Sequence, residues 1–199
     1  MQSITEPSDW EERYQEQTTP WDLGAAAPGF RSLLHSENKP APGKTAVLGC
    51  GRGYDAVLFA ESGFEVVGFD FARTAITDSI SLAQKSHSTA QFLQRDIFEL
   101  GAEFPHHFDY VVEHTCFCAI PPERRKEYVQ LVRSILRPNG QLIAVFFTHN
   151  RPGGPPFGVT PAEIRQYFEA DFEIIFLNPI LNSVPSRQGE EHIGLLRVR

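Results

Sequence analysis

The sequence predicts an α/β fold built on a mostly parallel β-sheet with helices on both faces. From Lys44 onward, short apolar runs alternate with amphipathic helical segments, and strands that are joined by helices pair in parallel. Glycines at positions 49, 51 and 53 separate the first of these strands from the helix after it, a strand-to-helix turn typical of such sheets. Near the C-terminus two strands follow each other without an intervening helix, which predicts an antiparallel pair at the sheet edge.

The N-terminal segment, residues 1–43, does not follow this alternation. Residues 9–14 predict a short helix with Ser8 or Asp9 as its N-cap and acidic side chains in its first turn. Residues 28–34 predict a second short helix that begins with Pro28, and residues 38–43 predict a turn-rich connector. We therefore expect one domain over residues 1–199, with this segment preceding a core at residues 44–199.

The core supplies its elements in a regular order. The predicted strands are residues 45–48, 65–70, 90–94, 108–113, 142–147, 172–177 and 193–198. The predicted helices are residues 55–62, 72–83, 121–136 and 162–168. Gly63 ends the first of these helices, and residues 137–140 predict a turn before the fifth strand. Because the carboxyl ends of parallel strands meet at one edge of the sheet, we expect ligand binding there.

Composition excludes several classes of protein. The chain has 199 residues, of which 41% are hydrophobic, so it can bury a full core without disulfides or a structural metal. Its net charge of −7 and the absence of a basic block predict no nucleic-acid or membrane partner. Three cysteines without a CxxC pair predict reduced thiols, no metal site and a cytoplasmic location. We expect a small-molecule acceptor as partner and a monomer or weak dimer.

The glycine loop and two acidic residues predict a nucleoside site. Glycines let the backbone turn tightly and approach a ligand, while the following helix offers free N–H groups. Asp70 ends the second strand, 19 residues after Gly51, where a carboxylate accepts hydrogen bonds from a ribose diol. Asp96 ends the third strand, where an adenine edge would lie. NAD and S-adenosylmethionine both fit, but the GxGxG spacing and the single nucleotide-binding half favour S-adenosylmethionine.

At these residues the sequence resembles the thiopurine S-methyltransferase superfamily, and within it the plant halide/thiol methyltransferases. The resemblance implies a class I S-adenosylmethionine methyltransferase fold, a Rossmann-like three-layer sandwich whose seven-stranded sheet is mostly parallel with an antiparallel last strand. It also implies that residues 1–43 form a lid over the donor, and we call them the lid segment. The matching segments are residues 10–14, 18–22, 49–55, 108–113, 117–122, 153–157 and 185–189.

By position, the resemblance assigns residues to the donor S-adenosylmethionine and its product S-adenosylhomocysteine. The lid side chains Trp10 and Trp21 would flank the donor, since aromatic faces attract a sulfonium cation. Tyr14 and Glu113 stand where the plant proteins carry a second lid Trp and an Asp. The full set of expected donor contacts is Trp10, Tyr14, Trp21, Gly49, Gly51, Asp70, Phe71, Asp96, Ile97 and Glu113.

The acceptor side is expected to contain three polar groups and three aromatic ones. Asp55 stands where the family carries an Asp close to the transfer site, and His114 or His149 could deprotonate a thiol because imidazole titrates near neutrality. The chain contains 16 Phe, of which three lie at predicted strand ends or on the lid. These expected pocket residues are Phe117, Phe147 and Phe157.

The predicted function is methyl transfer to a small soft nucleophile, such as a thiol, thiocyanate, bisulfide or halide, by in-line displacement. Such a reaction needs alignment of the reacting atoms and removal of water from the nucleophile, and a thiolate or halide needs no strong general base. Alternative acceptors are thiopurine-like heterocycles and tellurium or selenium compounds. A protein that binds S-adenosylmethionine without turnover is a further alternative, and a nicotinamide oxidoreductase is a weaker one.

Overall fold

A computed structural model describes residues 6–37 and 39–199. Residues 1–5 and Asn38, which belong to the predicted N-terminal segment and connector, lie outside the described residues. The strands are β1 (Lys44–Leu48), β2 (Glu65–Asp70), β3 (Gln91–Gln94), β4 (Phe108–His114), β5 (Leu136–Phe147), β6 (Phe172–Pro179) and β7 (Glu191–Val198). The helices are α1 (Pro7–Gln15), α2 (Pro28–Leu34), α3 (Tyr54–Glu61), α4 (Arg73–Lys85), α5 (Leu100–Glu103), α6 (Arg125–Ile135) and α7 (Pro161–Phe168).

The seven strands form one sheet in the order β3-β2-β1-β4-β5-β7-β6. Strands β1 to β5 pair in parallel, whereas β7 runs antiparallel to both β5 and β6. The predicted sheet and its antiparallel late strand are therefore confirmed. The order reverses direction at β1, and the carboxyl ends of β1 and β4 lie side by side there, where a doubly wound sheet binds its ligands.

The start of the fifth strand was predicted incorrectly. Strand β5 begins at Leu136, six residues before the predicted start at 142. Leu136 pairs with Phe108 and Gln141 pairs with Tyr110, so the residues between them form an irregularity in the ladder. Asn139 has a positive φ of 64°, in agreement with a local turn. The turn signal at residues 137–140 is thus real, but it bends a strand instead of preceding one.

Two hydrophobic clusters pack on opposite faces of the sheet and make three layers. One face carries α5, α6 and α7, whose cluster includes Phe117, Tyr128 and Phe168. The other face carries α2, α3 and α4, whose cluster includes Phe30 and Phe59. Side chains alternate between these faces along each strand. Residues two positions apart in a strand, which we describe as having the same parity, therefore enter the same layer.

The helices give no indication of a membrane span. In the described part of the chain, no helix combines the length and apolar character that are needed to cross a bilayer.

We predict that Phe168→Ala lowers the free energy of unfolding by about 3–5 kcal/mol, because it leaves a cavity in a closely packed core. Phe168 is fully buried and its ring lies 5.5 Å from Phe117, 5.9 Å from Phe146 and 5.6 Å from Phe172. Urea denaturation measures the change. The control Ile175→Ala, on β6 with 42% exposure, should cost less than about 1 kcal/mol. Equal losses in the two variants would contradict the core assignment.

Candidate active site

The glycine loop turns sharply between β1 and α3. Gly49, Gly51 and Gly53 all have positive φ values, of 58°, 51° and 84°. Only glycine adopts this conformation without strain, and the space is also limited. A Cβ on Gly53 would lie 2.8 Å from the Cβ of Ser79, and one on Gly51 would lie 2.9 Å from the Tyr14 hydroxyl. The loop therefore has no room for a side chain at Gly51, which faces Tyr14 of the lid segment, or at Gly53, which faces α4.

Asp70 anchors this loop from the end of β2. Its Oδ2 accepts a hydrogen bond of 3.0 Å from the Gly51 amide and its Oδ1 one of 2.9 Å from the Ala72 amide. Burial raises the pKa of Asp70 to about 6, although the backbone amides oppose this shift. A carboxylate under this desolvation gains from further hydrogen-bond donors, which the two hydroxyls of a ribose would provide.

The described part of the lid segment covers the loop with three aromatic rings. The Trp21 ring lies 5.0 Å from Trp10 and 5.8 Å from Tyr14, and its Nε1 donates to the Tyr14 hydroxyl at 3.3 Å. Tyr14 is buried and packs with Phe71 and Ala72 at the start of α4. Four of the expected donor contacts, Trp10, Tyr14, Trp21 and Phe71, are thus gathered beside Gly51 and Asp70.

Polar bonds fasten the lid segment to the core. Arg52 pairs with Asp22 of the lid segment, donates to the Thr19 hydroxyl at 3.1 Å, and reaches Asp78 of α4 at 3.0 Å. Glu11 of α1 accepts hydrogen bonds from the hydroxyl and amide of Thr74, at 2.6 and 3.0 Å. These contacts are partly exposed, so each adds little stability and the lid can open locally.

His114, at the end of β4, contacts Asp55 at the start of α3. The His114 Nδ1 lies 2.9 Å from the Asp55 Oδ2, while the Asp55 Oδ1 accepts the Ala27 amide at 2.7 Å. Burial lowers the pKa of His114, but the carboxylates of Asp55 and Glu191 outweigh it and the net pKa rises to about 9. Two of the three expected catalytic residues, Asp55 and His114, are therefore in contact, with the imidazole charged at neutral pH.

Two further charged residues complete this arrangement. Arg187 Nη1 donates to Glu191 Oε1 and lies 3.1 Å from His114 Nε2, and its Nη2 donates to the Trp21 carbonyl. The Ser183 hydroxyl donates to the other oxygen of Glu191. We call Asp55, His114, Arg187 and Glu191 the buried charge network, because no side chain among them is more than 13% exposed.

Strand register explains why these groups meet. His114 pairs with Val145 across β4 and β5, and Phe147 pairs with Glu191 across β5 and β7. These positions share parity with Val112 and Ile193, which pack on the α2–α3 face. His114, Phe147 and Glu191 therefore lie on the same face, at the same edge of the sheet, as the N-terminus of α3.

The Glu113 side chain points to the opposite face of the sheet, because Glu113 is the neighbour of His114 in β4. Its side chain is fully buried on the α6 face, and its Oε2 accepts hydrogen bonds from the amides of Cys116 and Phe117, at 2.8 and 2.9 Å. Burial raises the pKa of Glu113 to about 7, while these amides oppose the rise. The structure thus assigns Glu113 to shaping the loop after β4, and not to the donor contact that we expected.

The three expected pocket phenylalanines occupy different environments. Phe117 has no exposed surface and packs against Tyr128, Phe146 and Phe168, so it is a core residue in place of the expected pocket residue. Phe147 is half-buried, and its ring lies 5.6 Å from the Arg187 guanidinium. Phe157 is half-buried, and its amide donates to the Cys118 carbonyl at 2.6 Å.

His149 lies beside Phe147, with 5.2 Å between the ring centroids. It is 8% exposed, and its Nδ1 accepts the Arg151 amide at 3.2 Å. Its Nε2 is buried without a hydrogen-bond partner in the part of the chain that the structure describes. Burial, together with Arg151, lowers the pKa of His149, so the ring is neutral and presents an unused N–H.

Asp96 and Ile97 follow β3, two strands from the glycine loop in the sheet order. Asp96 is half-buried and its Oδ1 accepts the Phe98 amide at 2.9 Å, which caps a short 3₁₀ turn. Ile97 is buried at 5% exposure. Nothing in these contacts occupies the second carboxylate oxygen of Asp96.

Sequence reasoning missed Arg187 and Glu191 as site residues. Arg187 entered only as part of a matching segment, and the strand was predicted to begin at Ile193, after Glu191. Ile193 and Leu195 face the α2–α3 layer, and side chains two residues apart in a strand point to the same face. Extending the strand by two residues would have placed the Glu191 carboxylate in that layer as well. Among residues 6–37 and 39–199, no group of three or more His, Cys, Asp or Glu side chains is arranged to hold a metal ion.

Comparison with known proteins shows which family this chain resembles. The profile of the family described as Thiopurine S-methyltransferase (TPMT) matches residues 5–198. A probable thiol methyltransferase 2 of Arabidopsis thaliana is 33% identical over 202 residues, which cover 98% of this chain and 86% of the plant protein. Thiocyanate methyltransferase 1 of the same plant is 28% identical over 198 residues, with coverage of 98% and 86%.

A solved structure confirms the fold. The 1,6-didemethyltoxoflavin-N1-methyltransferase of Burkholderia thailandensis, determined with S-adenosylhomocysteine, superimposes with a TM-score of 0.79 at 21% identity, covering 96% of this chain and 86% of that one. The seven-stranded sheet is therefore the class I S-adenosylmethionine methyltransferase fold that we expected.

We predict that Arg52→Gln loosens the lid segment, because it removes the pair with Asp22 and weakens the contact with Asp78. Trypsin should then cleave after Arg13, in α1, several times faster than in the unmodified protein, as followed by mass spectrometry. Arg95→Gln, which removes an exposed pair with Glu103, is the matched control and should leave the rate unchanged. Unchanged cleavage in Arg52→Gln would show that the aromatic contacts alone hold the lid.

Proposed function

This chain belongs to the thiopurine S-methyltransferase family, and from that premise we propose that it methylates a small, soft anionic nucleophile. The acceptors in this class are thiolates, bisulfide, thiocyanate and halides, and the donor is S-adenosylmethionine. One observation carries the proposal. The buried, charged imidazole of His114 lies beside the glycine loop and is oriented by Asp55, and the Phe147 ring packs against the neighbouring Arg187 guanidinium, where a nucleophile must meet the donor.

The residues around the loop fit the donor. Gly49 and Gly51 give it a bare backbone to lie against, Asp70 offers a desolvated carboxylate for the ribose, and Trp10 and Trp21 supply aromatic faces for a sulfonium. S-Adenosylmethionine supplies an activated methyl group whose leaving thioether is neutral. No strong acid is therefore needed to assist departure, and the protein's task is to place and desolvate the nucleophile.

We assign that task first to His114. Asp55 accepts from Nδ1, which fixes the ring and leaves Nε2–H as the donor toward an incoming anion. A protonated imidazole does not remove a proton from a thiol, but it stabilises the thiolate form of one. The site thus favours acceptors that are anions already or that ionise on binding.

Phe147, Phe157 and His149 are proposed as the wall of the acceptor pocket. Phe147 presents apolar surface next to Arg187 and His149, and the unused Nε2–H of His149 is a second donor nearby. A low-polarity wall with few donors strips water from a soft anion, which raises its reactivity. Thiol and thiocyanate acceptors, named for two plant relatives, match this chemistry.

We predict that purified protein with S-adenosylmethionine forms volatile methylated products from thiocyanate, bisulfide, methanethiol or iodide. Headspace gas chromatography identifies the product, and S-adenosylhomocysteine released in equal amount confirms the reaction. A thiopurine in the same assay tests the bulky alternative. If no acceptor reacts while calorimetry shows donor binding, the transfer function is wrong and donor binding without turnover remains.

Asp70→Asn is the matched control for this assay. The substitution keeps the size of the side chain. It replaces one of the two acceptor oxygens with an NH₂ group, which donates hydrogen bonds and does not accept them. We expect donor affinity to fall by tenfold or more, since hydrogen bonds to a charged group are worth about 1.5–3 kcal/mol. Product formation that is insensitive to this change would place the donor elsewhere.

We predict a specific pH profile for thiocyanate, which is an anion throughout the accessible range. Since His114 has its pKa raised to about 9, kcat/KM should be constant near neutrality and fall as pH rises through about 9, when the imidazolium loses its proton. The charged groups that face His114 are Asp55, Glu191 and Arg187. A methanethiol profile should rise with thiol ionisation before the same fall.

His114→Gln tests the origin of that fall. Glutamine keeps a donor but does not titrate, so the variant should have a lower kcat/KM and no decline near pH 9. His192→Gln, on β7 with a half-buried ring, is the control and should keep the original profile. An alkaline decline that persists in His114→Gln would assign the titration to another group.

A further inference from the structure

We propose that Arg187 is the residue that selects anionic acceptors, by donating a hydrogen bond to the acceptor together with the Nε2 of His114. The inference rests on the proposed function, and it adds a second cation to that site. Arg187 lies in the loop between β6 and β7, within the matching segment 185–189, to which the sequence alone assigned no role.

The position of Arg187 links three parts of the site. Its guanidinium contacts the Trp21 carbonyl in the lid segment, His114 at the end of β4 and Glu191 at the start of β7. The residue is only 7% exposed, so its charge acts in a low-dielectric environment. A buried cation at this point contacts both the lid and the imidazole that we place at the acceptor.

The two carboxylates of the network are already satisfied. Asp55 accepts from the Ala27 amide and from His114, and Glu191 accepts from Arg187 and from the Ser183 hydroxyl. All four of their oxygens therefore have donors from the protein. The groups that retain unused donor capacity are the two cations.

The contact between those cations is the key observation. Arg187 Nη1 and His114 Nε2 lie 3.1 Å apart, and guanidinium nitrogens only donate. The contact is a hydrogen bond only when His114 is neutral, whereas Asp55 and Glu191 favour its protonated form. A small anion that accepts hydrogen bonds from both nitrogens offsets the repulsion between the two cations. We therefore place an anion-binding site at this pair.

The surroundings favour a soft anion. The Phe147 ring lies 5.6 Å from the Arg187 guanidinium and gives the site an apolar side. Guanidinium is more weakly hydrated than ammonium, so it loses less when it pairs with a large, polarisable anion. Thiocyanate, iodide and small thiolates fit this description better than phosphate or carboxylate compounds.

The test uses two variants of the full-length protein. Arg187→Gln with Glu191→Gln removes both charges of the pair, so neither residue is left as an unpaired buried ion. Arg187→Lys keeps the charge but loses the planar fork, and it also replaces the double variant if that one fails to fold. Arg197→Gln with Glu173→Gln, an exposed pair of the same residue types at the other end of β7, is the matched control.

Two measurements are made on each protein. Steady-state kinetics with saturating S-adenosylmethionine give KM and kcat for thiocyanate, and calorimetry gives the thiocyanate Kd of the protein loaded with S-adenosylhomocysteine. We expect the double variant to raise KM and Kd about 10- to 100-fold, as the loss of a charge-assisted hydrogen bond implies. Its kcat and its S-adenosylhomocysteine affinity should change less than about threefold, with Arg187→Lys intermediate and the control unchanged.

Three results would overturn the proposal. In the first, the double variant keeps the thiocyanate KM and Kd within about twofold of the unmodified protein. In the second, Arg187→Lys binds thiocyanate no better than the neutral double variant. In the third, the unmodified protein does not bind thiocyanate in the calorimeter. Failure of the proposed function looks different. In that case the unmodified protein binds thiocyanate, loses this binding in the variants, and forms no methylated product.

Discussion

Buried carboxylates at the carboxyl edge of the sheet fix the shape of this site. Asp70 fastens the glycine loop, and Glu113 folds the loop after β4. Asp55 holds the Ala27 amide and His114, and Glu191 holds the arginine that binds Trp21. A carboxyl group removed from water is stabilised by hydrogen-bond donors, and each of these groups accepts hydrogen bonds from a neighbouring loop.

This constraint also explains how the lid segment is held. Its first part, from α1 to Asp22, contacts the core through an aromatic cluster and a few charged or backbone bonds, with little apolar surface in α1 beyond Tyr14, whereas α2 is anchored by Phe30 and Leu34 in a core cluster. A stretch with so few buried apolar contacts opens at a lower free-energy cost than one anchored in a core cluster, so we expect α1, and not α2, to open locally. The Trp21 carbonyl accepts a hydrogen bond from Arg187 and the Ala27 amide donates one to Asp55, so the lid segment contacts both ends of the buried charge network.

The sequence predicted the sheet, its helices and the glycine loop because their signals are local: apolar period, glycine positions and helix breakers. It also named His114 and Asp55, which meet only through the fold. Errors arose where side-chain direction mattered. Glu113 precedes His114 in β4 and Phe117 lies in the 3₁₀ turn after that strand, yet both side chains are buried on the other face. Arg187 and Glu191 lie 73 and 77 residues beyond His114, and no local pattern links them to it.

Charge balance connects the buried network to the reaction. With His114 protonated, Asp55 and Glu191 offset His114 and Arg187, so the network has no net charge. In the reaction that we propose, a cationic donor and an anionic acceptor bring opposite charges that cancel as the methyl group moves. The transition state is less polar than the bound reactants. A site with little water therefore raises the free energy of the charged reactants more than that of the transition state, which lowers the barrier. A neutral network suits this chemistry, because surplus positive charge would bind the anion too firmly and surplus negative charge would exclude it.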